Sequence, residues 1–233
     1  MKTMDIIEIE FKDTDTTPDR LIKATQALIA VYGYDATTTR MIANLAKVTL
    51  SAINFHFGNK ENLVREAMSR AAQELELHYS KLAGEIRRFL EEEPVDREKA
   101  WSYLDRILTD RIRRAFDRRA SWINIGIAEH ENGLPESSRG IMARTAVEGS
   151  ERILAELILA VSDKKNAFQA ALISRAVNAA IMSYSEKPLL NQYLEESLGV
   201  DLSDPRRVEE CLHDYFMTSI AAAVVVDPHK KII

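Results

Sequence analysis

The residues with the most chemical promise lie close together, between Thr38 and Lys60. Ser51 and Ala52 are small enough to allow close approach of a partner, and Ala52 and Thr49 can touch a thymine methyl. Asn54 can form a two-point hydrogen bond with adenine. Thr39, Arg40 and Thr49 are suited to backbone phosphates, as are Lys47, His56 and Lys60, while Leu50 and Phe55 complete the same surface. That chemistry is recognition rather than bond breaking. Catalytic or metal-binding groups are not assembled elsewhere. The five histidines, His56, His78, His130, His213 and His229, form no close array with cysteine of the kind zinc needs. Glu210 and His213 have the spacing of a di-iron carboxylate motif, but such a site needs a second copy and two more glutamates. Cys211, expected on a buried helix face, reads as inert rather than as a redox sensor. No glycine-rich phosphate loop or nucleophile elbow is present, so neither an enzyme nor a bound cofactor or metal is expected.

Two short helices must position the recognition residues. Thr38 can cap the first by accepting from a free backbone N–H, and Met41, Ile42, Leu45 and Ala46 recur at helical spacing for burial. That helix ends near Lys47. Val48 then turns inward, Thr49 caps a second helix from Leu50 to Phe55, and Ile53 is its one clear core residue, leaving the other positions for contact. A helix-turn-helix needs this layout, because its second helix enters the major groove while the first crosses the backbone. On pattern alone, a plain two-helix hairpin of an α-protein fits equally well.

The same stretch resembles the DNA-binding segment of the TetR family of transcriptional regulators. The likeness rests on T-T-R-x-I-A-x-x-A from Thr38 to Ala46, then Val48-Thr49, Ile53, and the closing F-x-N-K-E-x-L from Phe57 to Leu63. It reaches back to about Pro18. Two positions depart from the family's pattern: Lys47 stands where the family often has glycine, and Asn54 where it often has an aromatic residue. The resemblance implies a palindrome-binding homodimer, a repressor released from double-stranded DNA by a small-molecule effector. It also implies an all-α fold with a three-helix DNA-binding domain followed by a helical-bundle domain for effector binding and dimerisation. The competing class is a helical binding or scaffold protein without DNA specificity.

Composition agrees with that fold. In 233 residues there are only six prolines and eight glycines, 46% of positions are hydrophobic, and a single cysteine excludes an internal disulfide framework and suits a reducing cytoplasm. No apolar run approaches the ~20 residues needed to span a bilayer, and the start MKTMDIIEIEFKD is acidic rather than a basic signal sequence. A cytoplasmic location and no membrane partner are therefore expected. The net charge of −5 is unevenly distributed: residues 18–65 carry six basic groups against three acidic ones, and the remainder of the chain is acidic. Phosphate attraction acts over about one Debye length, so a locally basic patch can hold DNA on an acidic protein.

Three segments follow from this reading: a mobile N-terminal arm over residues 1–17, a helix-turn-helix DNA-binding domain over 18–64 and an all-helical effector and dimerisation domain over 65–233. Thr17 and Pro18 suit a helix start, which Gly33 ends. Asn59 can cap a fourth helix running to about Leu90, its first turn with Lys60 forming a natural phosphate site. Further helices are expected over Arg97–Phe116, Arg118–Glu129, Ser137–Val161, Lys164–Tyr184 (capped by Asp163 or Ser162), Leu189–Leu198 and Pro205–Val226. Alanines on the helices 164–184 and 205–226 allow close backbone approach, making these the candidates for a four-helix dimer interface; burial inside the monomer is the plainer alternative. Trp101, Tyr103, Phe116, Trp122 and His130 place aromatic and polar groups where helices between Leu82 and Ala160 can surround an effector.

Overall fold

The computed structural model describes residues 9–116, 131–186 and 188–224, and among them every regular element is helical. The expected helix 118–129 lies outside the described residues, as do Trp122 and His130. The helices are α1 (Thr17–Ala36), α2 (Thr39–Ala46), α3 (Ser51–Phe57), α4 (Lys60–Leu90), α5 (Arg97–Phe116), α6 (Ile141–Ala146), α7 (Arg152–Val161), α8 (Ala167–Glu186), α9 (Pro188–Leu198) and α10 (Pro205–Val224). A single 3-10 turn spans Glu131–Gly133, and a π-helical turn, Val147–Glu151, joins α6 to α7. These elements form two compact units: residues 9–77 with 131–146, and residues 78–116 with 147–186 and 188–224. Helix α4 is continuous through residue 77, so it belongs to both.

In the first unit, α1 starts one residue earlier than the proline suggests. Thr16 is the cap, and it and Asp19 accept from each other's backbone N–H in a capping box; the Thr16 hydroxyl, donating to Asp19 Oδ2 at 2.6 Å, and then the Thr16 N–H draw the Asp19 carboxyl below its ordinary pKa. Residues 9–16 of the expected arm make contacts with this unit. Ile9 packs on the core, Phe11 lies under the Arg20 guanidinium at 4.7 Å, and Asp15 accepts from Lys23 Nζ at 2.6 Å. Gly33 takes φ 72°, breaking α1 as expected, but one further turn continues to Ala36, and Thr37 Oγ1 donates to the Gly33 carbonyl at 2.7 Å. Leu21, Ile29, Ile42, Ile53, Leu63 and Met68 fill the core of this unit.

The second unit is built around Leu104, Leu108 and Ile112 of α5, with Ile153, Leu157 and Val161 of α7, Val177 and Ile181 of α8, and Phe216 and Ile220 of α10. The continuous helix expected from Ser137 is interrupted. Residues 137–140 form turns, Gly140 takes φ 81°, and the π turn at Val147–Glu151 inserts an extra residue into the helical register. Helix α8 starts at Ala167 and is capped by Asn166, whose Oδ1 accepts from Gln169 N at 3.0 Å, in place of the expected Asp163 or Ser162. Lys165 folds back to donate to the Leu159 and Ala160 carbonyls, closing the end of α7.

Candidate nucleic-acid interface

Helix α2 is anchored at its start by Thr38 Oγ1, which accepts from Met41 N at 3.2 Å. At its end Lys47 sits in the left-handed region, φ 55° and ψ 45°. The Lys47 and Val48 N–H groups both reach the Ala43 carbonyl, so the helix closes with the usual glycine turn carried by a lysine. A residue with a Cβ there is disfavoured by roughly 1 kcal/mol. The reward is position: the Lys47 side chain stands exposed at the turn between the two helices.

Helix α3 is held to the core by one buried side chain, Ile53, at 1% exposure. Its start differs from expectation. Leu50 is already helical, and the Thr49 hydroxyl faces Ser51 Oγ at 3.1 Å while the Thr49 carbonyl accepts from Ala52 N. Ser51, Asn54, Phe55 and His56 are exposed and Ala52 is half-buried. Phe55 is 84% exposed, its ring edge-on to that of His56 at 4.8 Å. A phenylalanine left this open on a helix with a single buried anchor is arranged for contact rather than for the core.

Past Phe57 the chain reverses at Gly58, φ 79°, a conformation that L side chains avoid. Asn59 Oδ1 accepts from Asn62 N at 2.8 Å, capping α4 as expected, and Asn62 Nδ2 donates to the Phe57 carbonyl at 3.0 Å. The end of α3 is thereby locked to the start of α4. Lys60, expected at a phosphate site, has its ammonium 2.6 Å from the Tyr34 carbonyl and 3.8 Å from the Tyr34 ring centre. Partial burial draws its pKa down. Thr39 is half-buried at the start of α2, and Arg40, Thr49 and Leu50 are exposed beside it. The helix-turn-helix residues named from sequence therefore all lie on α2, α3, the turn between them or the start of α4.

Residues 21–67 match the family model of the bacterial regulatory proteins, tetR family. Over that stretch the chain is similar to the TetR family. No curated protein matches the chain. Among solved structures, the chain is similar to the fatty acid degradation regulator FadR of Bacillus halodurans at 16% identity and a TM-score of 0.53, over 88% of this chain and 97% of that one. A transcriptional regulator from a Rhodococcus species reaches 0.56 at 16% identity, covering 91% and 100%. The TetR-family regulator PfmR of Thermus thermophilus reaches 0.51 at 18% identity, covering 86% and 98%. At these identities the likeness is one of fold, and it extends the TetR-like architecture over the helices beyond the matched domain.

Outside the helix-turn-helix the sequence-named residues are more dispersed. Trp101, Tyr103 and Phe116 pack, partly buried, against the second core, with Tyr103 5.0 Å from the Phe89 ring. A cavity of about 770 Å³ in the second unit is lined instead by Leu90, Val95, Leu159 and Ala160 with Arg87, Glu91, Glu148, Arg152, Glu156 and Lys165. Cys211 is exposed on α10 rather than on a buried face, because Leu212 and Phe216 are the residues that turn inward there. His213 Nε2 lies 3.0 Å from Asp105 Oδ1, away from any Glu210 pairing. Among the described residues no group of three or more His, Cys, Asp or Glu side chains could hold a metal ion, and no helix is long and apolar enough to cross a membrane.

Sequence reasoning missed a polar cluster within the second unit. Arg111, on the apolar stripe of α5, is 5% exposed and donates to Ser150 Oγ at 3.2 Å and Asn178 Oδ1 at 3.0 Å. The available signal was an arginine between Leu108 and Ile112, where the stripe calls for an apolar side chain.

Proposed function

We propose that this chain is a dimeric, effector-responsive transcriptional regulator, a repressor that leaves a near-palindromic operator when a small molecule binds. The observation that carries the DNA-reading assignment is the face of α3, where Ser51, Asn54, Phe55 and His56 stand exposed around the single anchor Ile53. Asn54 and Ser51 read base edges, and Phe55 meets thymine methyls. Arg40, Lys47, Thr39 and Thr49 position the backbone, joined by His56 when protonated. Lys60 holds the start of α4 against Tyr34 and so supports the reading helix from behind.

Dimerisation is supported by two exposed faces. On α8, Phe168 (75% exposed) and Leu172 (55%) continue through Ala171, Ala176 and Ala179, while Ala180 and Ile181 turn to the core. On α10, Cys211, Tyr215, Thr218 and Ala222 form an exposed stripe at helical spacing. Gln169 Nε2 joins the two helices through the Ala223 carbonyl at 3.1 Å. Apolar helix faces of this kind, left open in one chain, fit a two-fold interface with a second copy. Two half-sites a helical turn or a multiple apart then give specificity by repetition. The uninterrupted course of α4 supports a mechanical route by which an effector spreads the reading heads.

The test is selection of bound fragments from a genomic library by purified protein, followed by binding to the selected and to random duplexes across a salt series. The regulator reading expects a selected palindrome held at least ~10³-fold more tightly than random duplex, both affinities falling with salt. Equal affinity for the two would overturn it.

A further inference from the structure

Burying a guanidinium removes its hydration, and a lone buried charge costs several kcal/mol of effective penalty unless a counter-charge or a full set of acceptors replaces the water. Arg111 lacks the full set of acceptors, and its desolvation outweighs the pull of the carboxylates around it, Glu151 and Asp110. Its two bonds go to neutral oxygens, Ser150 Oγ and Asn178 Oδ1, and its Nη1 has no partner. Of these two carboxylates, Glu151 is engaged elsewhere: its Oε1 accepts from Arg175 Nη1 at 2.7 Å and from Asn178 Nδ2 at 2.8 Å. Asn178 thus holds Glu151 with one end and Arg111 with the other. The cluster is supplied by three elements, α5, the π turn and α8, and the π turn presents both Ser150 and Glu151 to it.

We propose that Arg111 and Ser150 form the recognition site for a small organic carboxylate. This rests on the effector-responsive reading and names the effector's class. One guanidinium nitrogen lacking an acceptor matches a carboxylate oxygen, and Ser150, which accepts from Nη2, holds the guanidinium in place for it. A single available positive charge suits a monoanion rather than a phosphate dianion. Ile107, Leu108 and Ile112, close to Arg111 along α5, belong to the second core, so the apolar remainder of such a molecule would meet apolar side chains. The extra residue of the π turn gives the local backbone a place to yield as the ligand enters.

The experiment is calorimetric titration of the full-length protein with hexanoate and benzoate, their neutral amides, and phenyl phosphate. Arg111→Met and Ser150→Ala are carried alongside, with thermal melts of each unliganded protein and operator binding measured separately. A carboxylate is expected to bind wild type at least ~10-fold more tightly than its amide, and Arg111→Met to abolish that preference. Because the desolvation of Arg111 outweighs the pull of the carboxylates around it, removing its charge should leave the unliganded melting temperature unchanged or raised. The proposal is overturned if neither carboxylate exceeds its amide, if phenyl phosphate binds more tightly than both, or if Arg111→Met melts well below wild type, which would make Arg111 a structural group. Should Arg111→Met fail to fold, an unaltered carboxylate preference in Ser150→Ala overturns it. Protein that still selects an operator while failing these titrations loses the Arg111 site and keeps the regulator reading.

Discussion

Replacing Lys60 by methionine separates two roles that one ammonium could serve. The side chain keeps its length and loses the donor that reaches the Tyr34 carbonyl at 2.6 Å and the charge 3.8 Å from the Tyr34 ring centre. A hydrogen bond from a charged donor contributes roughly 1.5 to 3 kcal/mol, and a cation over an aromatic ring at a partly exposed site about 0.5 to 1 kcal/mol. Lys60 is only half-buried, so the low end of each applies. Its partial desolvation, already visible as a depressed pKa, is relieved in the variant. The net expectation is a loss of about 1.5 kcal/mol, a fall of roughly 3 to 6 °C in melting temperature for a chain of this size. DNA affinity should drop on all sequences alike because the start of α4, to which α3 is locked, is less firmly held. The slope of log affinity against log salt should stay at the wild-type value. A phosphate ligand behaves differently: its removal lowers that slope by about 0.9 and leaves the melt unchanged. That second result, from a thermal melt and a salt-dependent binding series on the same preparation, would refute the clamp.

Lys47→Gly should raise stability by about 0.5 to 1 kcal/mol, since glycine accepts φ 55° without strain and part of that gain is offset by its freer unfolded chain. The same change should weaken DNA binding and reduce the salt slope by about 0.9 if the exposed ammonium meets a phosphate; both are read by denaturant unfolding and fluorescence anisotropy. Asn54→Ala should relax preference at one base pair per half-site by roughly 1 to 3 kcal/mol, and a uniform loss on every variant operator would place Asn54 on the backbone instead. Phe168→Glu with Leu172→Glu should convert a dimer to monomer in sedimentation while leaving helix content unchanged; retention of the dimer would move the interface off α8.

The helix-turn-helix was legible because its signals are local. Thr38, Asn59 and Gly58 act on backbone groups within a few residues, and the anchor Ile53 is the only large aliphatic inside α3. Less local facts escaped. Nothing in the sequence places the Tyr34 carbonyl beside Lys60 across 26 positions, so the lysine read as a free phosphate ligand. Two adjacent threonines made Thr17 look like the cap, whereas Asp19 pairs with Thr16 at the three-residue spacing a capping box needs. The π turn was invisible because the apolar period resumes after it: Met142 and then Ile153, Leu154 and Leu157 all turn inward on either side. On α8 the alanines suggested a face for close approach without saying which residues flank it; the helix buries Ala170, Ser174, Val177 and Ile181 and leaves Phe168 and Leu172 outside. Helical periodicity locates a stripe; it does not say which of two apolar stripes meets the same chain.

The open ring of Phe55 also bears on the temperature dependence of operator binding. At 84% exposure it presents nearly a whole phenyl surface to water. Covering that ring against DNA removes on the order of 150 Å² of apolar surface per protomer, which carries a heat-capacity decrease of about 70 cal/mol/K. For the proposed dimer, association through two such rings would become more exothermic by about 1.4 kcal/mol for each 10 °C of warming. A thymine-rich contact point would thus announce itself in the calorimeter as a heat of binding that steepens with temperature.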